Sequence, residues 1–226
     1  MNRYNIFYQV HKGLRELLYN TASRLQQTDF TNAEETAVIL KQTRLTIDLF
    51  DKHAATEDSM ILPAIQQYEP SVSTVFSEEH VKDHELGEKL RSILKGLQES
   101  ASQNDKNTWG VVLRPVFIEF MVFNLEHMAK EEEVLNRLLW RYYSDEELHA
   151  ITEKIITHQQ PEALQQFTAW MLRGLSNNEI IQWIKQVGAT APEFIFQGLV
   201  IAAEQELPAA RWALIRETIR DGAIAA

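Results

Sequence analysis

Five of the chain's seven histidines lie in four separate amphipathic segments, and two of them are followed four residues later by a glutamate. The two pairs are His53 with Glu57 and His127 with Glu131. Residues four apart on an α-helix lie one turn apart on one face, so each pair presents an imidazole and a carboxylate to the same point. The five histidines are His11, His53, His80, His84 and His127. This pattern predicts helices that converge on one polar layer.

Apolar residues at matching spacings indicate that these histidines face a protein core. Leu14 and Leu18 accompany His11, and Phe120 and Phe123 precede His127 on its segment. A helix with one apolar face buries that face against other helices. The sequence therefore predicts an all-α protein that begins with an up-down four-helix bundle.

A single buried histidine is most simply a core residue that is hydrogen-bonded to a neighbour, and for His11 alone that explanation suffices. Five histidines and two glutamates in one layer are harder to accommodate, because buried carboxylates must be paired or neutralised. Two divalent cations would satisfy all of these groups at once. The spacing therefore predicts a carboxylate-bridged dinuclear metal site.

The order single His, HxxxE, HxxxH, HxxxE over about residues 1–143 resembles the hemerythrin family, also called the HHE cation-binding domain. The resemblance implies two irons joined by an oxo or hydroxo bridge and two carboxylates, with one coordination position open to oxygen. Carried over by position, the ligands of one iron are His80, His84 and His127, those of the other are His11 and His53, and the bridges are Glu57 and Glu131.

The last acid of the pattern departs from the oxygen-carrying hemerythrins, in which an aspartate follows its histidine by five residues. Here a glutamate stands at the fourth position. Glu132 is an alternative bridge, but it is rotated by about 140° from His127 and should face away from the site. Glu131 is therefore the predicted bridge. The longer connections between the motifs resemble those of bacterial and regulatory members.

The donor set favours iron. Zinc prefers four ligands in tetrahedral geometry, whereas seven nitrogen and oxygen donors around two ions suit five- or six-coordinate iron or manganese. A ferritin-like carboxylate site would need Glu-x-x-His pairs on two helices. The chain has one such pair, Glu146 with His149, outside the predicted bundle. Iron is the predicted metal, and manganese or zinc is the alternative.

Charge and composition limit the partners. The net charge of −10 argues against a broad nucleic-acid surface and against anionic membranes. The apolar stretch 194–203 is too short to span a bilayer, and the N-terminus lacks the apolar core of a signal peptide. The chain has no cysteine, which excludes disulfides and thiolate catalysis. We therefore expect a cytoplasmic protein that binds neither nucleic acid nor membrane.

Four long helices are predicted for the bundle. The first runs over about residues 5–26, and the second starts at a Thr31–Glu34 capping box and ends or kinks near Pro63. The third starts near Ser77. The fourth follows the polar stretch SQNDKNT and continues through Trp140.

After residue 143 the pattern changes, and residues 144–226 are predicted to form a C-terminal extension of about five short helices. Two capping boxes and three prolines mark their starts, at Ser144, Ser176, Pro161, Pro192 and Pro208. The tryptophans of this region most simply anchor a small core. A homodimer or a protein partner is the alternative, suggested by the apolar run FIFQGLVIAA.

Such a centre can carry oxygen, sense oxygen or nitric oxide, store iron or reduce a peroxide. The leading hypothesis is a non-enzymatic protein that binds O₂ or NO and senses oxygen, NO or redox state, since the extension exceeds what an oxygen carrier needs. The alternatives are a di-iron peroxidase or NO reductase, and an iron storage or handling protein. Because no acid, base or substrate-binding motif supports an enzyme, no catalytic residue is assigned.

Overall fold

The computed structural model describes residues 3–100 and 102–224, and over these residues the chain forms nine continuous helices and no strand. The predicted all-α fold is thereby confirmed. The chain divides into two compact units. The first unit comprises Met1–Tyr8 and Leu17–Gln159, and the second comprises Gln9–Glu16 and Gln160–Ala226.

The first unit contains four long helices and one shorter helix. Two of the long helices include a π-helical turn, which is a single wider turn with i→i+5 hydrogen bonds. The helices are α1 (Tyr8–Gln27), α2 (Ala33–Thr56, π turn Glu57–Ile61, Leu62–Gln66), α3 (Pro70–Glu99), α4 (Gln103–Lys130, π turn Glu131–Leu135, Asn136–Tyr142) and α5 (Asp145–His158). Residues 9–16 of α1 belong to the second unit.

Two helix starts differ from the sequence prediction. Asn32, rather than Thr31, caps α2, and its side chain accepts hydrogen bonds from two backbone N–H groups of the first turn. The third helix starts at Pro70, well before the predicted Ser77. Proline suits this position because the first N–H groups of a helix have no intrahelical partner.

Both π-helical turns begin at the glutamate of an HxxxE pair. The backbone N–H of Leu62 donates to the carbonyl of Glu57, and that of Asn136 donates to the carbonyl of Glu131. Single π turns inside α-helices occur frequently at functional sites. The helix that was predicted to end or kink near Pro63 contains the first of these turns and ends at Gln66.

The core of the first unit extends past the predicted boundary at residue 143. Leu148 is fully buried in the same apolar cluster as Phe7 and Leu135, and Ile151 and Ile155 pack against that cluster. Leu148, Ile151 and Ile155 all lie on α5. The compact unit therefore ends at Gln159 instead, because α5 contributes one apolar face to the bundle core.

The second unit contains four further helices of nearly equal length. They are α6 (Pro161–Gly174), α7 (Asn177–Thr190), α8 (Glu193–Glu206) and α9 (Ala209–Ile224). They begin at residues 161, 177, 193 and 209, that is, every 16 residues. The predicted capping boxes at Ser144 and Ser176 and the prolines at the helix starts are confirmed. With α5, the stretch after residue 143 holds the five short helices that were predicted.

Two glycines let residues 9–16 of α1 approach α6 within the second unit. A Cβ on Gly13 would lie 2.7 Å from the backbone nitrogen of Met171, and a Cβ on Gly174 would lie 2.4 Å from the carbonyl oxygen of Lys12. The Lys12 ammonium also pairs with Glu179 on α7 at 2.7 Å. This segment of α1 is therefore an integral part of the second unit.

The helix α4 is long and apolar. Among the described residues, Asn104–Tyr142 is the one stretch with the length and composition to cross a membrane, with a mean hydropathy of 1.3 and 28% of its best window buried. Core helices of globular proteins pass the same test, and α4 buries Asn124, His127 and Glu131. The test is thus weak evidence for a membrane span. The sequence prediction missed this stretch because polar residues interrupt its apolar run.

Candidate metal centre

Three helices of the first unit bring histidines and glutamates together. The helices α2 and α4 each contribute an HxxxE pair, and α3 contributes His80. The HxxxE spacing brings each histidine next to its glutamate because the histidine lies in the last α-helical turn before that glutamate. All five side chains are buried, with exposed fractions between 0% and 8%: His53, Glu57, His80, His127 and Glu131.

Each glutamate lies between two imidazoles. Glu57 places Oε1 3.2 Å from His53 Nε2 and Oε2 3.3 Å from His80 Nε2. Glu131 places Oε1 3.0 Å from His127 Nε2 and 3.7 Å from His80 Nε2. A carboxylate whose two oxygens face different imidazoles has the geometry of a bridging ligand between two cations.

The ligand atoms form two overlapping groups that share both glutamates. One atom each from Glu57, His80, His127 and Glu131 lies within 4.8 Å of the others. The same limit holds among His53, Glu57 and Glu131. These distances match what two cations with common bridging carboxylates require.

The outer nitrogens of two histidines are held by further carboxylates. His80 Nδ1 lies 2.7 Å from Asp58 Oδ1, and His127 Nδ1 lies 2.7 Å from Glu79 Oε2. Glu79 is held in turn by Lys130 at 2.6 Å. Metal-ligating histidines usually have such a partner on the second nitrogen, which fixes the ring and its tautomer.

The Nε2 atoms of His80 and His127 indicate whether a cation fits between the glutamates. The Nε2 atoms of His80 and His127 are buried and make no hydrogen bond of normal geometry with any residue that the structure describes. Because both atoms face the glutamates, a cation between them would satisfy nitrogen and oxygen donors together. The donor set therefore fits a metal.

Two of these imidazoles bind protons strongly. Burial on its own lowers the pKa of His80, but the carboxylates of Glu131 and Glu57 raise that pKa to about 11. The pKa of His127 is also raised, because Glu131 and Glu79 outweigh the effect of burial. A metal would displace these protons, so its binding competes with acid.

The structure does not bring His84 to the other predicted ligands. Its side chain is 64% exposed, and Nδ1 lies 3.4 Å from Asp51 Oδ1 on the outside of the bundle. The buried face of α3 includes His80, Asp83 and Gly87, a spacing of three and then four residues. The prediction that His84 faces the metal is therefore wrong, because the helix turns the third residue after His80 inward.

Asp83 takes the inward position and was missed by the sequence prediction. It is 3% exposed, and its Oδ1 accepts a 2.6 Å hydrogen bond from Asn124 Nδ2. Burial raises the pKa of Asp83 to about 6, while Asn124, His127 and His80 act against that rise. The available signal was the alternating three-and-four spacing of buried residues along α3.

The remaining predicted ligands are also buried. Glu131 is 0% exposed and belongs to the group of converging ligand atoms, whereas Glu132 is partly exposed. That Glu131 bridges two metals stays a prediction. His11 is 0% exposed and lies on α1, within the stretch that belongs to the second unit. Asp58 and Glu79, which hold the outer nitrogens, were not predicted because neither lies on a recognisable motif.

Comparison with known proteins gives a family match and a set of relatives. The family model described as "Hemerythrin HHE cation binding domain" matches residues 2–139. F-box/LRR-repeat protein 5 of Mus musculus and of Bos taurus are each 28% identical over 172 residues, which cover 76% of this chain and 24% of the relative. The Danio rerio protein of the same name is 26% identical over 175 residues, which cover 76% of this chain and 25% of the relative. The chain thus spans about a quarter of the length of these relatives.

Proposed function

From the premise that the chain belongs to the hemerythrin HHE cation-binding family, we propose that it holds two iron ions in the first unit and binds O₂ or NO there as a sensor. The buried His and Glu groups of the first unit have the donor geometry to hold a metal. The observation that carries the proposal is Glu57, whose two oxygens lie 3.2 Å and 3.3 Å from different imidazoles.

The proposed ligand set retains the five predicted residues that lie in the first unit. The ligands of one ion are His80 and His127, a ligand of the other is His53, and Glu57 and Glu131 bridge them. Imidazole and carboxylate donors in this ratio suit iron, and manganese is the closest alternative. Bound iron would supply a redox-active centre with coordination positions left for a small ligand.

The surroundings of the site favour a small, uncharged ligand. The Phe76 and Phe123 rings lie 5.8 Å and 6.0 Å from the His127 ring, measured between centroids. The ligand atoms themselves are buried. A diatomic gas can enter such an apolar surrounding more easily than a charged or bulky substrate. This supports binding of O₂ or NO over conversion of an organic substrate.

Two observations support sensing over oxygen carriage. The relatives named F-box/LRR-repeat protein 5 devote about a quarter of their length to the matching region, which indicates a module that operates beside others. The second unit of this chain exposes Phe194 (72%) and Ile201 (53%), as a surface for a second copy or a protein partner would. The second unit is therefore the proposed output of the sensor.

Metal content and reversibility test the proposal. We expect about two irons per chain after purification without oxygen, and an absorption change on admitting O₂ or NO that reverses when the gas is removed. His80→Ala should lose metal, whereas His149→Ala, outside the site, should retain it. Irreversible oxidation would favour a peroxidase, an NO reductase or iron handling instead. A wild-type chain without iron would overturn the proposal.

A further inference from the structure

Asp83 is a buried carboxylate that the five proposed ligands do not include. It lies on α3, three residues after His80, and it is 3% exposed. Its hydrogen-bond donor is the neutral amide of Asn124, on α4 three residues before His127. Asn124 is itself 2% exposed, and its Nδ2 also donates to the carbonyl of Phe120 at 3.1 Å. Asp83 is thus held in place by an amide with both hydrogens engaged.

The hydrogen-bond donor of Asp83 is uncharged. A buried carboxylate is costly unless a cation compensates it, and Asn124 carries no charge. The imidazoles of His80 and His127 act on Asp83, and their Nε2 atoms face Glu57 and Glu131. Two divalent cations in place of two imidazole protons would add net positive charge near Asp83.

The direction of helical side chains indicates where the carboxylate points. Every Cα–Cβ bond of an α-helix tilts toward the N-terminus, so Asp83 leans over the turn that contains His80. It is not among the four residues whose ligand atoms lie within 4.8 Å of one another. Asp83 therefore lies on the buried face of α3 beside His80, outside the group of converging ligand atoms.

We propose that Asp83 is the outer carboxylate of the His80–His127 metal position. Its negative charge would favour a cation held by His80 and His127, and Asn124 fixes its orientation. On α3, Asp83 rather than the predicted His84 is the buried residue near this position. This inference rests on the proposed dinuclear centre and adds a residue that the family pattern does not contain.

The test compares adjacent substitutions in the full chain, with Fe²⁺ as the probe. Asp83→Asn keeps the shape and removes the charge, whereas His84→Asn changes the exposed neighbour. Fe²⁺ affinity is measured without oxygen by competition with a chelator. We expect Asp83→Asn to lower the affinity for one of the two Fe²⁺ ions by about 10- to 100-fold, the usual effect of losing a group that supports a metal ligand. His84→Asn should leave both affinities unchanged.

Each outcome decides the inference. Equal affinities in wild type and Asp83→Asn, or a loss in His84→Asn alone, would overturn it while leaving the proposed function intact. A wild-type chain that binds no Fe²⁺ would overturn both. Should Asp83→Asn fail to fold, Asn124→Ala replaces it, because removing the donor releases the carboxylate. A smaller loss at the same ion is then expected, and unchanged affinity would contradict the assignment.

Discussion

The two units of this chain bury different kinds of side chain. The first unit buries charged groups at its centre and interrupts two helices with π-helical turns. Among the described residues of the second unit, one polar side chain is buried, His11, and the other buried residues are apolar. Its helices repeat every 16 residues without a π turn. Irregular helices and buried charge thus coincide with the proposed chemistry, and regular helices coincide with a simple apolar core.

The largest effect on the first unit is expected from the removal of a ligand that both metals share. Glu57 faces both His53 and His80, so Glu57→Gln should abolish the binding of both ions. The iron content should fall from about two per chain to near zero. Glu132→Gln, next to the other bridge, should retain both. Iron analysis after anaerobic loading measures the difference. One retained ion in Glu57→Gln would show that Glu57 serves a single metal.

A second prediction concerns the stability of the metal-free first unit at alkaline pH. The raised pKa of His80, about 11, means that the folded state holds this proton more tightly than the unfolded chain. The resulting stability is complete below about pH 6.5, the unperturbed pKa of histidine, and is lost as pH rises through about 11.

Urea unfolding at pH 6 and pH 9 measures this effect. Metal-free protein should be less stable at pH 9, and iron-loaded protein should lose less, because a metal has replaced the proton. Hydrogen exchange can confine the change to the first unit, in which His80 lies. Equal losses with and without iron would contradict the assignment of His80 as a ligand.

A third prediction tests the close packing in the second unit. A Cβ on Gly13 would lie 2.7 Å from the backbone nitrogen of Met171, and backbone cannot move aside as a flexible side chain can. Gly13→Ala should therefore destabilise this unit by about 1–3 kcal/mol. Hydrogen exchange of the α6 amides measures the loss.

Sequence reasoning predicted the helices and most of the residues that the structure brings together in the first unit, because HxxxE spacing and helix caps are local signals. Both capping boxes and the choice of Glu131 over Glu132 are of this kind. The inward turn of Asp83 instead of His84 depends on how α3 packs between its neighbours, and the partners Asp58 and Glu79 depend on which helices meet. The grouping of residues 9–16 with α6 likewise needed the tertiary structure.

The smallest expected effect lies at Gly198, in the middle of α8. A Cβ there would meet nothing within 4 Å, so Gly198→Ala should gain the helix preference of alanine without a clash. That gain is about 1 kcal/mol, or roughly 4 °C or more in the Tm of a unit this size. Gly13→Ala is the matched control, since the same substitution should lower stability where backbone is close. If Gly198→Ala instead weakened a concentration-dependent dimer, the open glycine would serve the close approach of a second copy beside Phe194, and the second unit would carry a function of its own.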